Sequence, residues 1–225
     1  MRKVTREYIM DILKNYRSVT SLDEIPGLSN WDVSEITTFS YMFYDFKNLT
    51  DIQILSNWNV SNGTNFIGMI SNCSSLKDLS PLSNWNVSNA TYFNQMFVEC
   101  SSLYDLSILS NWNVSNVTDF TSIFSGCSSL ADLSALSNWN VSNGASFYYM
   151  FSNCSSLKDI SVLSNWNVVN GTHFHDMFIH CSSLKDIKPL YNWCIPRRYN
   201  VKLILNDSPI DQPEIDNLNI NIKRH

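Results

Sequence analysis

The sequence predicts an α/β repeat protein, a solenoid of 27-residue coils in which each coil joins a short extended segment to a short helix. Three observations predict it. Trp31, Trp58, Trp85, Trp112, Trp139, Trp166 and Trp193 are all the tryptophans in the chain, and each lies 27 residues from the next. Cys73, Cys100, Cys127, Cys154 and Cys181 keep the same period. Three leucine or isoleucine registers travel with them, as in Leu76, Leu79 and Leu82 of one coil and Leu103, Leu106 and Leu109 of the next. A fixed period in the range of roughly 20–50 residues marks a stacked array, whose units touch only their neighbours.

Residues 1–21 stand outside the repeat. Val4, Tyr8, Ile9, Ile12, Leu13 and Tyr16 recur at helical spacing, with Arg6, Glu7, Asp11 and Lys14 between them. The segment reads as an N-terminal capping helix that covers the open core of the first coil, with Thr5 as its N-cap. A membrane-surface helix is the alternative, and the acidic residues count against it.

The solenoid runs over residues 22–193, six full repeats and a partial seventh. Each copy begins Leu-x-x-Leu/Ile-x-x-Leu-x-Asn-Trp, read as core rungs stacked coil on coil. The period then changes: Phe93, Met96, Phe97 and Cys100 lie at i, i+3, i+4 and i+7, which places them on one helical stripe. Ser88 precedes that stripe as a candidate N-cap, with Ser34, Ser61, Ser115 and Ser142 in the same slot. The pattern has the composition of a leucine-rich-repeat coil. Between the halves lies an Asn-rich turn such as Asn84-Trp85-Asn86-Val87-Ser88-Asn89. An amide both donates and accepts, so aligned Asn side chains can link successive coils. The Asn-x-Ser/Thr sequons then follow from the repeat rather than from glycosylation.

After Trp193 the pattern decays, and residues 194–225 read as a C-terminal cap and tail. Val201, Ile204 and Leu205 keep the phase of Phe174, Met177 and Phe178. Pro209 and Pro213 end the coil, because proline lacks the backbone donor that stacking uses. A strand is expected at Leu218-Asn219-Ile220-Asn221-Ile222.

Composition narrows the function classes. A hydrophobic fraction of 44 % supplies a core, and a net charge of −5 with 16 % charged residues builds no nucleic-acid footprint. The chain shows no membrane-spanning run, no signal peptide and no lipid-attachment cysteine near Met1, which favours a cytoplasmic placement. The cysteines hold one slot in successive coils, and Phe46 fills that slot in the first copy. They read as buried, reduced thiols rather than a disulfide framework or a metal column.

Four sets of residues are candidates for function. Glu24, Asp51, Asp78, Asp105, Asp132, Asp159 and Asp186 form an acidic column, read first as acceptors for turn amides and second as a site for a cation or basic partner. Slots that vary from coil to coil are those the core does not dictate. They carry Lys77, Tyr104, Lys158 and Lys185 in one register and Tyr92, Tyr148 and Tyr149 in others, and these seven are the candidate partner-binding residues. His173, His175 and His180 lie in one segment with Asp176 between them; His173, Asp176 and His180 have spacing compatible with a metal site, but all three histidines occupy variable slots, so exposed surface is the favoured reading. The seven tryptophans form a structural ladder. Among nucleophile–base pairs, phosphate loops and paired carboxylates, no motif is present.

The phrase Met-Phe-x-x-Cys-Ser-Ser-Leu-x-x-Leu-Ser, followed by Asn-Trp-Asn-Val-Ser-Asn-Val-Thr (closest at residues 111–118), resembles the BspA-type leucine-rich-repeat surface proteins. It is most similar to their lipoprotein-associated branch of unknown function. The resemblance covers residues 22–193 and implies an extended solenoid used in adhesion or protein–protein interaction, displayed on the cell surface. It implies no catalytic residue. The expected function is therefore a monomeric, non-enzymatic interaction module with a protein partner and no cofactor, nucleic acid or membrane span. The alternative is a passive spacer that binds nothing specifically.

Overall fold

In the computed structural model, residues 1–195, 201–221 and 223–224 are described. Successive coils stack in parallel, and most of each coil is turn rather than strand or α-helix. Among the described residues, the only regular element repeated within the coils is a 3-10 helix that runs from just after the second leucine/isoleucine register to tryptophan and carries the third, as at Gln53–Asn57, Ser107–Asn111, Ser134–Asn138, Ser161–Asn165 and Lys188–Asn192. In two coils it is cut to three residues, Leu28–Asn30 and Ser80–Leu82. The repeat solenoid is thus present, but its helix sits on the segment expected to be extended.

The expected helix at Phe93–Cys100 is absent, and the backbone explains why. Two residues per coil there adopt positive φ, at Tyr41, Gly68, Gln95, Ser122, Tyr149 and Asp176 and again at Asp45, Asn72, Glu99, Gly126, Asn153 and His180. A left-handed residue every fourth position breaks the i→i−4 series. The peptides bond between coils instead: Phe93, Gln95, Phe97 and Glu99 donate their N–H groups to the carbonyls of Asp119, Thr121, Ile123 and Ser125 in the next coil. Every second peptide therefore points along the solenoid axis in one sense. Ser88 is no helix cap. Its N–H donates to Asn86 Oδ1 at 3.1 Å and its carbonyl accepts from Asn116 Nδ2 at 2.8 Å.

That amide bond recurs as Asn62 to Ser34, Asn89 to Ser61, Asn143 to Ser115 and Asn170 to Ser142. The ladder runs one way: the Asn after the serine (Asn89 in this coil) donates to the preceding coil, while the Asn after the tryptophan (Asn86) holds its own turn.

Inside, the apolar columns are buried throughout. Phenylalanines of neighbouring coils stack, as Phe97 on Phe124 at 5.8 Å and 3° and Phe120 on Phe147 at 5.5 Å and 8°. Such offset stacks contribute about 0.5–1.5 kcal/mol beyond area burial. The five repeated cysteines are free and buried, each Sγ donating to a carbonyl of the preceding coil, as Cys127 to Phe97 at 3.2 Å. Burial pushes the Cys100 and Cys181 thiols up to about 12. The indole N–H groups of Trp85, Trp139, Trp166 and Trp193 donate to the carbonyls of Leu55, Leu109, Leu136 and Leu163. Those of Trp58 and Trp112 are buried without a partner. Both follow a coil whose 3-10 helix has only three residues.

Both ends are covered. Strand β1 (Arg2–Lys3) pairs in parallel with β2 (Trp31–Asp32), and helix α1 (Arg6–Leu13) lays Ile9 and Leu13 on the first coil. Thr5 caps α1, its side chain accepting from the Tyr8 N–H. Arg6 donates to the Ser40 carbonyl at 2.7 Å, and Arg17 donates to that of Tyr44, so two axis-pointing carbonyls of the first coil end on guanidinium groups. At the far end Asp176 and Phe178 donate to the carbonyls of Leu203 and Ile204. Strand β3 (Cys194–Ile195) pairs with β4 (Lys223–Arg224). The expected strand at 218–222 is helix α2 (Gln212–Asn221) as far as it is described, Ile222 lying outside the described residues. Asp211 Oδ1 accepts from the Glu214 N–H, and Pro213 stands in the first helical turn, where its missing donor costs nothing. Pro213 starts a helix.

Candidate functional site

The acidic column is held by its own backbone. Asp51, Asp78, Asp105, Asp132, Asp159 and Asp186 each accept, through Oδ1, the N–H two residues ahead, at 2.7–2.9 Å. Each carboxylate therefore caps the start of a 3-10 turn, the first of the two readings. Glu24 does the same work differently, accepting from the Thr20 and Ser21 N–H groups at 2.8 and 2.9 Å, which lowers its pKa. No ion pair among the described residues joins the column to Lys77, Lys158 or Lys185.

The seven candidate residues separate into two regions. Lys158 and Lys185, on adjacent coils, line a recess of about 470 Å³ with Ser182 and Ser183. Tyr104 is 61 % exposed and lies over a groove with Asp105 and Asp132, and Lys77 is exposed in the same slot earlier in the chain. These four flank the acidic column. Tyr92, Tyr148 and Tyr149 belong to a different edge. Tyr92 lies in a single-residue parallel ladder, Thr38–Asn65–Tyr92–Asp119–Ser146–His173.

Around the fifth and sixth coils that edge forms a recess of about 410 Å³ lined by Ser146, Tyr148, His173, His175 and Asp176. Tyr148 packs on Tyr149 at 4.0 Å and meets His175 edge-on at 6.3 Å and 80°. His173 Nδ1 lies 2.8 Å from Thr172 Oγ1, and Asp176 Oδ1 accepts from Asn206 Nδ2 at 3.1 Å. The neighbouring Tyr148 hydroxyl first, then lost hydration and the Asp176 charge, push the Tyr149 phenol up to about 12. Tyr149 and Asp176 hold left-handed slots, φ 55° and 56°, which aims their side chains out of the stacked layer.

His173 and Asp176 thus share this recess, while His180 is exposed in the other left-handed slot. Among the described residues no three His, Cys, Asp or Glu side chains converge on a metal position. Ser146 was not singled out by the sequence. The signal that could have found it is register: it sits one coil away from the variable-slot His173.

No described helix is long and apolar enough to cross a membrane. A comparison with curated proteins finds no match. Residues 10–129 and 104–217 each match the family described as Mycoplasma protein of unknown function, DUF285, and the chain belongs to that family.

Proposed function

We propose that the chain is a monomeric, non-enzymatic protein-interaction module whose working surface is the edge bearing Tyr92, Tyr148 and Tyr149. The observation that carries this reading is the Tyr148–His173–His175–Asp176 recess, where aromatic groups with polar tips gather at positions the core does not dictate. Half-exposed tyrosines of this kind supply large, rigid contact area. The BspA-type resemblance of residues 22–193 supports the same reading, since it implies adhesion or protein interaction on a leucine-rich-repeat frame.

Capture from the native cell and its surroundings tests it. The wild-type chain is compared with a variant carrying Tyr92→Ser, Tyr148→Ser and Tyr149→Ser, and with one carrying Lys77→Ser, Lys158→Ser and Lys185→Ser. A partner retained by wild type and the lysine variant but lost by the tyrosine variant, with all three equally folded by circular dichroism, is the expected result. Identical capture by all three would leave the passive-spacer reading as the better one.

A further inference from the structure

We propose that the Tyr148–His173–His175–Asp176 recess is a receptor for a guanidinium group, taking an arginine side chain from a basic segment of the partner. This deepens the interaction-module reading and rests on it.

The chemistry of the walls selects the ligand. Tyr148 presents its ring beside Tyr149 and edge-on to His175, so the recess is lined by π faces and ring edges. Ring faces carry partial negative charge and attract cations, and a planar guanidinium stacks on them better than an ammonium does. Among the described residues of the lining, the one acidic side chain is Asp176. Its oxygen partner Asn206 is neutral, and so is the Tyr149 phenol beside it, so these two neighbours orient the negative charge without cancelling it. Lys202 follows His175 in the same slot, but its ammonium lies 3.8 Å from Asp216. The chain's net charge of −5 adds a long-range pull in the same sense.

The other surface recesses fit this role less well. The carboxylates along the Asp105–Asp132–Asp159 grooves are already engaged by backbone N–H groups, and among the described residues no aromatic wall faces them apart from Tyr104. The Lys158–Lys185 recess carries the opposite charge.

A single exposed cation–π contact with one carboxylate is weak, so one arginine should bind with a Kd of about 1 mM, and a partner needs further contacts along the edge. The test is a nuclear magnetic resonance titration of the full chain with end-blocked Gly-Arg-Gly and with the same peptide carrying citrulline, which keeps the shape and loses the charge. Saturable shifts of the His175 and Tyr148 ring signals with the arginine peptide alone are expected. Tyr148→Leu, which keeps apolar volume and removes the ring, and Asp176→Asn should each weaken binding by about fivefold or more. Equal binding of the citrulline peptide, or unchanged binding in both variants, overturns the proposal and points to a neutral ligand such as a sugar. If native-partner capture still depends on the tyrosine edge while the arginine peptide fails to bind, only the guanidinium assignment falls. If capture and peptide binding are both indifferent to that edge, the interaction-module reading falls with it.

Discussion

The constant columns and the variable edge of this solenoid are built from the same 27-residue period yet use their polar groups in opposite ways. In the constant columns nearly every polar group is engaged internally: Asp on turn N–H groups, Asn on the carbonyl of the preceding coil, Cys on a buried carbonyl. At the variable edge the backbone does the stacking, and side chains such as Tyr148, His173 and Asp176 are left to face outward. Repetition is therefore spent on stability, and its interruptions are where recognition has room.

The largest test of that contrast concerns the buried thiols. Cys73, Cys100, Cys127, Cys154 and Cys181 all have raised pKa values, and burial is the first cause in each. The folded chain thus holds protons that an unfolded chain releases once pH passes the ordinary thiol value of about 8.5. Stability is unaffected below that value and falls as pH rises from it toward about 12, where Cys100 and Cys181 titrate. Urea midpoints measured between neutral and strongly alkaline pH should fall steeply, and Cys127→Ala should flatten the slope while lowering the neutral starting point. A slope unchanged by Cys127→Ala would mean that the column is not sealed from water.

A smaller effect separates two members of one column. Trp139 donates to the Leu109 carbonyl at 2.9 Å, whereas the buried indole N–H of Trp112 has no partner. Trp139→Phe should therefore cost about 1–2 kcal/mol more than Trp112→Phe in chemical denaturation, because the first gives up a buried hydrogen bond, leaving the Leu109 carbonyl to the Trp112 backbone N–H alone, while the second removes a buried donor that has no partner. Equal costs would show that ring packing alone sets the value of this slot.

The smallest effect carries the opposite sign. Tyr149 is left-handed at φ 55°, a conformation that costs a residue with Cβ about 1–2 kcal/mol and glycine little. After the entropy that glycine forfeits, Tyr149→Gly should gain about 0.5 kcal/mol of stability while losing partner capture. A loss of stability would place Tyr149 among the structural residues instead.

How far the sequence foretold this molecule depends on which residues carried the signal. Strict identity at a fixed spacing made the Trp, Cys, Leu and Asp columns legible, and with them the solenoid and the capping role of the carboxylates. The helix was misplaced because i, i+3, i+4, i+7 spacing also arises when right- and left-handed residues alternate around a tight bend. The sign of that bend was present in Gly68, Gly126, Asn72, Asn153 and Asp45, residue types that tolerate positive φ. Their variety reads as mere solvent exposure when only hydrophobicity is followed. Leu218, Ile220 and Ile222 alternate like a strand, but Asp211 and Pro213 supply a helix start that the alternation hides. Which of the seven candidate residues share a surface was not legible. Tyr104 and Tyr92 differ only in phase within the coil, and phase becomes position only once the path of the bend is known.

The axis-pointing peptides make the molecule a vector rather than a rod. Each inner coil receives a row of carbonyls on one side and hands on the same row of N–H groups on the other. An added or deleted copy of 27 residues would thus be invisible to both caps, which sense only the polarity of the row they meet. Arg6 and Arg17 suit the carbonyl end and no other. Length is accordingly a free parameter of this architecture, and a gene that gains or loses whole repeats can resize the variable edge without redesigning either end.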